Sequence, residues 1–309
     1  MVVEQNASKW QEFKKGFVKN WQLYVLMLPA ITYLFIFCYI PMYGVQIAFK
    51  DFYANLGIIK SPWIGLEHFR RFFRSYYFGR LLKNTVMLSG YGLLLFPLSI
   101  IFALMLHELK NEKYKKTVQT LTYAPHFIST VVLVGMIKIF LDYPDGLFNH
   151  VAVALGRKPT SFLTDPQWFR HIYVWSGKWK SLGWGTIVYL AALSGVNPEL
   201  IEAAKIDGAT TMQRIRYINI PTIWPTVVVL FILQIGNFMS VGFEKVLLLQ
   251  NNLNAETADV IQTFVYRTGL LQGQFDFAAA VGLFDSVVNI ILLVSFNYFA
   301  RRTSEHSLW

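Results

Sequence analysis

Residues 21–47 read WQLYVLMLPAITYLFIFCYIPMYGVQI, and the first charged side chain after Trp21 is Lys50. A helix needs about 20 apolar residues to cross about 30 Å of hydrocarbon, so this run is long enough for one span. Three lysines at residues 14–19 precede it, as in a signal peptide, but the run is too long and lacks a clear small-residue cleavage site. We therefore interpret it as a retained first membrane span.

Similar apolar runs recur along the whole chain. Of its 309 residues, 54% are hydrophobic and 15% are charged, which is too apolar for an ordinary soluble domain. Because backbone polar groups in lipid must be satisfied within helices, each run is interpreted as a helix. The predicted spans are 21–47, 84–106, 117–141 with a bend at Pro125, 176–193, 221–243 and 277–300. We predict an all-α integral membrane protein with six transmembrane helices in one domain, 21–300, flanked by tails at 1–20 and 301–309.

The basic residues indicate an orientation in the membrane. An even number of spans places both tails on the same side. Lys110, Lys113, Lys115 and Lys116 crowd one short loop after the second span, and such loops favour the cytoplasmic face. We therefore predict a multi-pass protein with both termini in the cytoplasm.

The loop before the second span mixes aromatic and basic side chains. Residues 63–83 read WIGLEHFRRFFRSYYFGRLLK. This composition is typical of a helix that lies in the membrane interface, although an ordinary solvated loop is the alternative.

Other composition signals exclude several classes of function. The formal net charge is +10, but Lys and Arg are spread among short segments between apolar runs, so no nucleic-acid partner is predicted. Cys38 is the only cysteine and lies in an apolar run, so it is interpreted as a packing residue. Asp142 and Asp145 are typical of a turn, and the six histidines are scattered. No metal site is predicted.

The segment between the fourth and fifth predicted spans, NPELIEAAKIDGATTMQRIRYINIPTIWP at 197–225, predicts two short helices. Asn197 can cap the first, with Pro198 at its first position, and Gly208 can end it. Thr210 and Gln213 fit a capping box for the second. We expect that second helix to end before Pro221, which biases Ile220 towards an extended backbone. From spacing alone, a docking element for a partner and a plain amphipathic connector remain equally open.

This segment closely resembles the EAA loop of permeases in binding-protein-dependent ABC importers. The family pattern is EAA, three residues, Gly, nine residues, then Ile-x-Leu-Pro, and every element has a counterpart here, with Ile220 in place of the usual Leu. GLEHF at 65–69, LKNT at 82–85 and IDGA at 206–209 resemble the carbohydrate-uptake branch. Residues 256–270, ETADVIQTFVYRTGL, resemble permeases for oligosaccharides or polysaccharide fragments more narrowly.

The resemblance implies a transport subunit of a type I importer rather than an enzyme, in a bacterial cytoplasmic membrane. It implies that the EAA loop, 197–221, docks onto a partner ATPase through Glu202, Ala203, Ala204, Asp207, Gly208, Ile218 and Pro221. No G-x-x-x-x-G-K-[ST] phosphate loop occurs in the chain, so ATP and Mg²⁺ are expected on the partner, and no cofactor on this chain. The implied partners are a second permease subunit, most simply in a heterodimer, two ATPase subunits, an extracytoplasmic solute-binding protein, a sugar or oligosaccharide, and membrane lipid.

Polar and aromatic residues in the late spans are candidates for the cargo pathway. Polar side chains are costly in lipid and should face a cavity or another helix, and aromatic rings can stack on sugar rings. The candidates are Trp184, Tyr189, Gln234, Asn237, Phe284, Asp285 and Asn289. Interhelical hydrogen bonding or packing is the alternative for each of them.

Two other classes of function stay open at this stage. An ion-coupled secondary transporter predicts buried acids and broken helices in two matching halves, for which Asp285 is thin support. A membrane-bound glycan enzyme predicts clustered carboxylates, for which DYPD at 142–145 is a faint candidate. An assay of ATP hydrolysis with the purified partners separates the three.

Overall fold

The computed structural model describes residue 14 and residues 16–303, which form helices joined by loops and tight turns. No β-strand occurs in this described part of the chain, where an isolated backbone bridge joins Lys50 and Trp63. The all-α prediction is therefore confirmed for these residues. The chain divides into two compact units, Met1–Gly65 and Leu66–Trp309.

The first unit contains a long apolar helix, α1, over Trp21–Phe49. The helix is α-helical over Trp21–Leu34, widens to a π-helical turn over Phe35–Tyr39 and ends as a 3-10 helix over Tyr43–Phe49. Most of its apolar side chains are exposed, as expected of a helix that lies in lipid. A short helix, α2, follows over Gly57–Lys60.

The helices of the second unit are separated by short loops and single turns. They are α3 Glu67–Arg74, α4 Tyr76–Leu94, α5 Pro97–Glu108, α6 Glu112–Tyr123, α7 Thr130–Phe140, α8 Leu147–Ala154, α9 Pro166–Ser181, α10 Ile187–Leu193, α11 Pro198–Ile206, α12 Thr211–Arg214, α13 Ile220–Gly236, α14 Phe243–Leu249, α15 Ala255–Ala258, α16 Ile261–Tyr266 and α17 Phe275–Thr303. A 3-10 turn, Ala124–Phe127, extends α6, and another, Trp184–Thr186, precedes α10. A π-helical turn over Ile215–Asn219 joins α12 to α13, and Arg267–Leu271 forms another after α16.

Four stretches of helix are long and apolar enough to cross a membrane. They are Trp21–Phe49, Tyr76–Glu108, Thr211–Gly236 and Phe275–Arg302. A fifth is present if Glu112–Phe127 and Thr130–Phe140, which meet at 99°, form one broken span. The chain is thus a multi-pass membrane protein, but the prediction of six spans is not confirmed.

The predicted fourth span, 176–193, is not one helix. Helix α9 ends at Ser181, and the apolar helical stretch after the break, Trp184–Leu193, has only 10 residues. At 1.5 Å per residue it is about 15 Å long, half of the hydrocarbon thickness. Gly183 lies at the break so close to the backbone of Thr122 that a Cβ atom would not fit, which explains the glycine there.

The bend in the predicted third span occurs later than expected. Pro125 lies in the first positions of the turn Ala124–Phe127, where no backbone N–H is required. The chain instead breaks at the extended residues Ile128 and Ser129. The Ser129 hydroxyl then caps α7 by accepting from the N–H of Val132 at 3.2 Å.

Three hydrophobic clusters hold the second unit together. The first joins α4, α9 and α14, and includes Leu88, Val174 and Val246. The second is rich in phenylalanine, and Phe72 of α3 packs at 5.2–6.5 Å between ring centroids from Phe78, Phe264, Phe277 and Phe284. The third joins α5, α10 and α13 around Leu193 and Ile223. Because Phe72 is anchored in this cluster, the structure favours a helix over a solvated loop for residues 67–74.

A buried carboxylate ties the segment 256–270 to the rest of the second unit. Asp259 is 2% exposed and accepts hydrogen bonds from Arg80 at 3.1 Å and Arg267 at 3.0 Å. Asn84 donates to the backbone carbonyl of Asp259 at 3.0 Å and accepts from Arg170 at 3.0 Å. A buried charge needs such partners, so this network fixes α4, α9 and α16 relative to one another.

Candidate functional site

The loop at 197–221 begins with a capped helix, as predicted. The Asn197 side chain accepts from the N–H of Glu199 at 2.9 Å, and Pro198 is the first residue of α11. Glu199 lies in the first turn, where the helix dipole favours an acid. The helix therefore has a defined start that does not depend on a partner.

Gly208 ends α11 in the left-handed region, with φ at +78°. The backbone N–H of Ala209 donates to the carbonyl of Ala204 at 2.8 Å, which closes the last turn. Thr210 and Gln213 then form the predicted capping box of α12: the N–H of Thr210 donates to Gln213 Oε1 at 2.7 Å, and the N–H of Gln213 donates to Thr210 Oγ1 at 3.4 Å. The loop is thus a pair of capped helices.

The expectation that the second helix ends before Pro221 is wrong. Ile220 has helical dihedral angles, φ −61° and ψ −49°, and the chain runs from Thr211 to Gly236 as one helical stretch. The proline lies at the start of α13, and the π-helical turn Ile215–Asn219 accommodates it within the helical stretch. The loop is therefore continuous with a long apolar helix.

Glu108 anchors the loop, a role that was not predicted from the sequence. Its carboxylate accepts from Arg214 at 3.2 Å through one oxygen and from Asn219 at 3.1 Å through the other. Arg214 also donates to the carbonyl of Ala209 at 3.1 Å. These bonds connect the end of α5 to both sides of α12. In the sequence, Glu108 lies at the end of one apolar run and Arg214 near the start of another. These positions do not indicate that the two residues pair.

The residues of the EAA pattern fall into an exposed group and a half-buried group. Glu202, Ala203, Asp207 and Gly208 are exposed on or after α11, and Ala204 is half-buried. Ile218 is half-buried against the third cluster. Pro221 is exposed at the start of α13.

Exposed apolar side chains lie beside the exposed group. Leu200 is 57% exposed, Ile206 86% and Met212 71%. Such residues next to a rigid helix form a surface suited to a protein partner.

A cavity of about 690 Å³ lies between α4, α5, α9, α10, α13 and α14. Three of the predicted pathway residues, Trp184, Tyr189 and Gln234, line it. An adjoining cavity of about 330 Å³ shares Gln234 and is also lined by Asn237. Tyr189 is only 3% exposed, whereas one face of the Trp184 ring stacks on His126 at 4.3 Å.

The other three predicted pathway residues lie in packing or hydrogen-bonding contacts. Phe284 belongs to the phenylalanine cluster. Asp285 accepts from Gln262 at 3.1 Å, and Asn289 accepts from the N–H of Met239 at 2.8 Å. None of the three is among the residues that line the two cavities. They connect α17 to the segments beside it.

Two lysines in the larger cavity were not singled out from the sequence. Lys178 Nζ donates to the Ser99 hydroxyl at 2.9 Å, and Lys245 Nζ donates to the carbonyl of Tyr173 at 2.6 Å. Lys178 could have been identified from the sequence, because it falls, together with Lys180, inside the predicted span 176–193. Charges inside a membrane span are costly and mark functional sites.

The burial of Lys245 changes its acidity. This lysine lies on α14, outside the long apolar helices, and is 8% exposed. Burial, and then the positive charge of Lys180, lower the pKa of Lys245 to about 7. Its charge can therefore change near neutral pH.

This chain is similar to known proteins over almost its whole length. Protein LplB of Bacillus subtilis (strain 168) is 44% identical over 288 residues, which are 93% of this chain and 91% of LplB. The polygalacturonan/rhamnogalacturonan transport system permease protein YteP of the same organism is 43% identical over 93% of this chain and 90% of YteP.

A solved structure and a family model agree with these relatives. A chain of a bacterial alginate ABC transporter, solved with an alginate pentasaccharide-bound periplasmic protein, superposes with a TM-score of 0.88 at 41% identity, over 95% of this chain and 99% of that one. The model of the binding-protein-dependent transport system inner membrane component matches residues 95–305. Members are transport components rather than enzymes. This chain belongs to the family of inner membrane components of binding-protein-dependent transport systems.

Proposed function

We propose that this chain is the transmembrane subunit of an ATP-driven importer that translocates a sugar or oligosaccharide. Family membership supports a role in transport, and the sugar-transport names of several relatives support this class of cargo. An extracytoplasmic solute-binding protein delivers the cargo, in keeping with the periplasmic protein bound in the alginate transporter. The chain lies in a bacterial cytoplasmic membrane with both termini inside.

The observation that carries this proposal is the rigid, exposed helix pair at 197–221. A force-transmitting element must keep its shape while it moves between two arrangements. The caps at Asn197 and Thr210 and the Glu108 anchor provide this rigidity, and exposed Ala203 allows close approach of a partner.

The partner for this surface is one of two ATPase subunits, which bind ATP and Mg²⁺. Closure of the ATPases moves the docked loops, and the helical stretch from Thr211 to Gly236 carries that motion into the membrane. A second permease subunit completes the pathway, and we expect it to be a different chain. The broken segment 166–193 then accounts for a sixth crossing.

Reconstitution with the partner chains in proteoliposomes tests this function. We expect binding protein loaded with oligosaccharide to stimulate ATP hydrolysis several-fold and to produce uptake that requires the ATPase subunits. Uptake driven by a proton or sodium gradient without ATPase subunits would instead support a secondary transporter.

A further inference from the structure

The charge of the cavity is one-sided. Lys178 and Lys245 line the cavity of about 690 Å³, and no Asp or Glu is among its lining residues. An adjoining cavity of about 290 Å³ adds Lys180 and Glu244, so the two together carry three lysines and one glutamate, a net charge of +2. An anion entering this space meets a positive potential.

Neither cavity lysine has an acidic partner. Among the described residues, no carboxylate lies within 4.0 Å of Lys178 or Lys245. Their nearest acceptors are neutral, a hydroxyl of Ser99 and a backbone carbonyl of Tyr173. Lys245 is buried and Lys178 is half-buried. Charges withdrawn from water in proteins are normally paired, so two such lysines without a counter-ion in one cavity indicate a ligand that supplies it.

A purely structural role explains only part of this arrangement. Each lysine does link two elements, α9 to α5 and α14 to α9. The Lys245 ammonium group also lies 4.7 Å from the centroid of the Tyr173 ring, a cation–π contact. An ammonium group has three donors, however, and each of these bonds uses one. A neutral side chain could make the same link without the cost of burying a charge.

The remaining lining suits a sugar. Trp184 is 43% exposed and offers an indole face or edge to a pyranose ring. Ser99, Ser181 and Gln234 provide hydrogen-bonding groups for hydroxyls. Sugar-binding groups combined with excess positive charge match a sugar that carries carboxylates.

We propose that the cargo is an acidic oligosaccharide with uronate carboxylates, and that Lys178 and Lys245 bind those carboxylates during passage. This inference rests on the proposed function and narrows its substrate class. Charge-assisted hydrogen bonds to lysine are the strong contacts that set the preference for the anionic cargo.

The test compares two matched cargo panels in proteoliposomes that contain the complete transporter and its binding protein. One panel holds uronate oligosaccharides, and the other holds their uronamide counterparts, which keep the size and the hydroxyls but lose the charge. The readout is the ratio of uronate to uronamide uptake at saturating binding protein. The binding protein is the same throughout, so any change of this ratio between permease variants arises in the permease.

Lys178→Gln and Lys245→Gln are expected to lower that ratio about ten-fold each, since a hydrogen bond to a charged group is lost. Lys178→Arg and Lys245→Arg, which keep the charge, should retain most of the preference. They also control for a loss of assembly caused by substitution at these positions, as opposed to the loss of charge in the Gln variants. The control is Lys113→Gln, which removes one exposed charge outside the cavity lining and should leave the ratio unchanged.

Two results would overturn the inference while leaving the proposed function intact. One is uptake of the uronamide or other neutral oligosaccharides in preference to uronates by the unmodified transporter. The other is an equal uronate-to-uronamide ratio in the unmodified protein and in both Gln variants. Failure of every oligosaccharide to stimulate ATP hydrolysis or uptake would instead contradict the proposed function itself.

Discussion

Gly208 carries the most specific requirement at the residue scale. Its φ of +78° disfavours any side chain, although no atom lies within 4 Å of a Cβ placed there. The left-handed conformation costs an L-residue about 1–2 kcal/mol, which is too little to unfold the protein. We expect Gly208→Asp to insert normally and to lose at least about 90% of ATP-linked uptake, because the new charged side chain occupies the docking surface.

Gly156→Asp is the matched control for that variant. Gly156 also has a positive φ, +75°, and a Cβ added to it would meet no atom within 4 Å, but it follows α8 rather than the loop. Uptake and membrane levels should both stay near those of the unmodified protein. Equal loss of uptake in the two variants would assign the effect to backbone strain and not to docking.

The lowered pKa of Lys245 predicts that the preference for the uronate cargo depends on pH. Burial, then Lys180, lower its pKa to about 7, so raising the pH through this value removes its positive charge. Uronate carboxylates stay ionised throughout, and the uronate-to-uronamide uptake ratio should therefore fall as the pH rises from about 6 to about 8. Tyr173, Lys178, Lys180 and Glu244 also face this site.

The Lys245→Arg variant identifies the group that titrates. Arginine stays protonated over this range, so the fall in the ratio should become much smaller. If the variant shows the same fall as the unmodified protein, another of the facing groups is responsible.

At the scale of elements, we expect the Glu108 anchor to make the loop move with the bundle. The anchor joins the end of α5 to Arg214 and Asn219, and the carboxylate is only partly exposed, at 22%. Glu108→Gln should weaken it by about 1 kcal/mol or somewhat more, given this partial exposure. We expect normal insertion but a several-fold drop in cargo transported per ATP hydrolysed.

Glu112→Gln is the control for the anchor. Glu112 pairs with Lys115 at 3.8 Å, and its side chain is 70% exposed, so the pair contributes little. Transport per ATP should be unchanged. An equal drop in both variants would indicate a general effect of lost negative charge near this face.

Some features of the helices and turns could be predicted from the sequence, and others could not. Caps and turn residues are local, and the predictions at Asn197, Gly208 and the Thr210–Gln213 box are confirmed. Long apolar runs also predicted the helices that contain residues 84–106 and 277–300. The break near 182–183 was missed; it lies where Gly183 closely approaches Thr122 in another helix, a tertiary contact that the local sequence does not encode.

Two prolines gave wrong predictions for a related reason. Pro221 was expected to separate two elements, but a π-helical turn accommodates it within one helical stretch. Pro125 was expected to mark the bend, which instead follows the turn that contains it. The pairing of Glu108 with Arg214 likewise depends on tertiary placement that spacing along the chain does not encode.

At the scale of the whole molecule, the second unit connects an exposed loop to a charged cavity. Helix α13 belongs to both, since it continues from the loop at one end and lines the cavity through Gln234 at the other. Helix α5 does the same through Glu108 and Ser99. Under the proposed coupling, a movement of the loop reaches the cavity walls through these two helices.

Cross-linking of the loop tests the central claim most directly. Cys38 is the only cysteine, so a Cys38→Ser background with Ala203→Cys places one thiol on the exposed face of α11. In the assembled transporter, we predict that this thiol reacts only with reagents from the cytoplasmic side and cross-links to the ATPase subunit. Labelling from the outer side, or cross-links to every partner except the ATPase, would contradict the account.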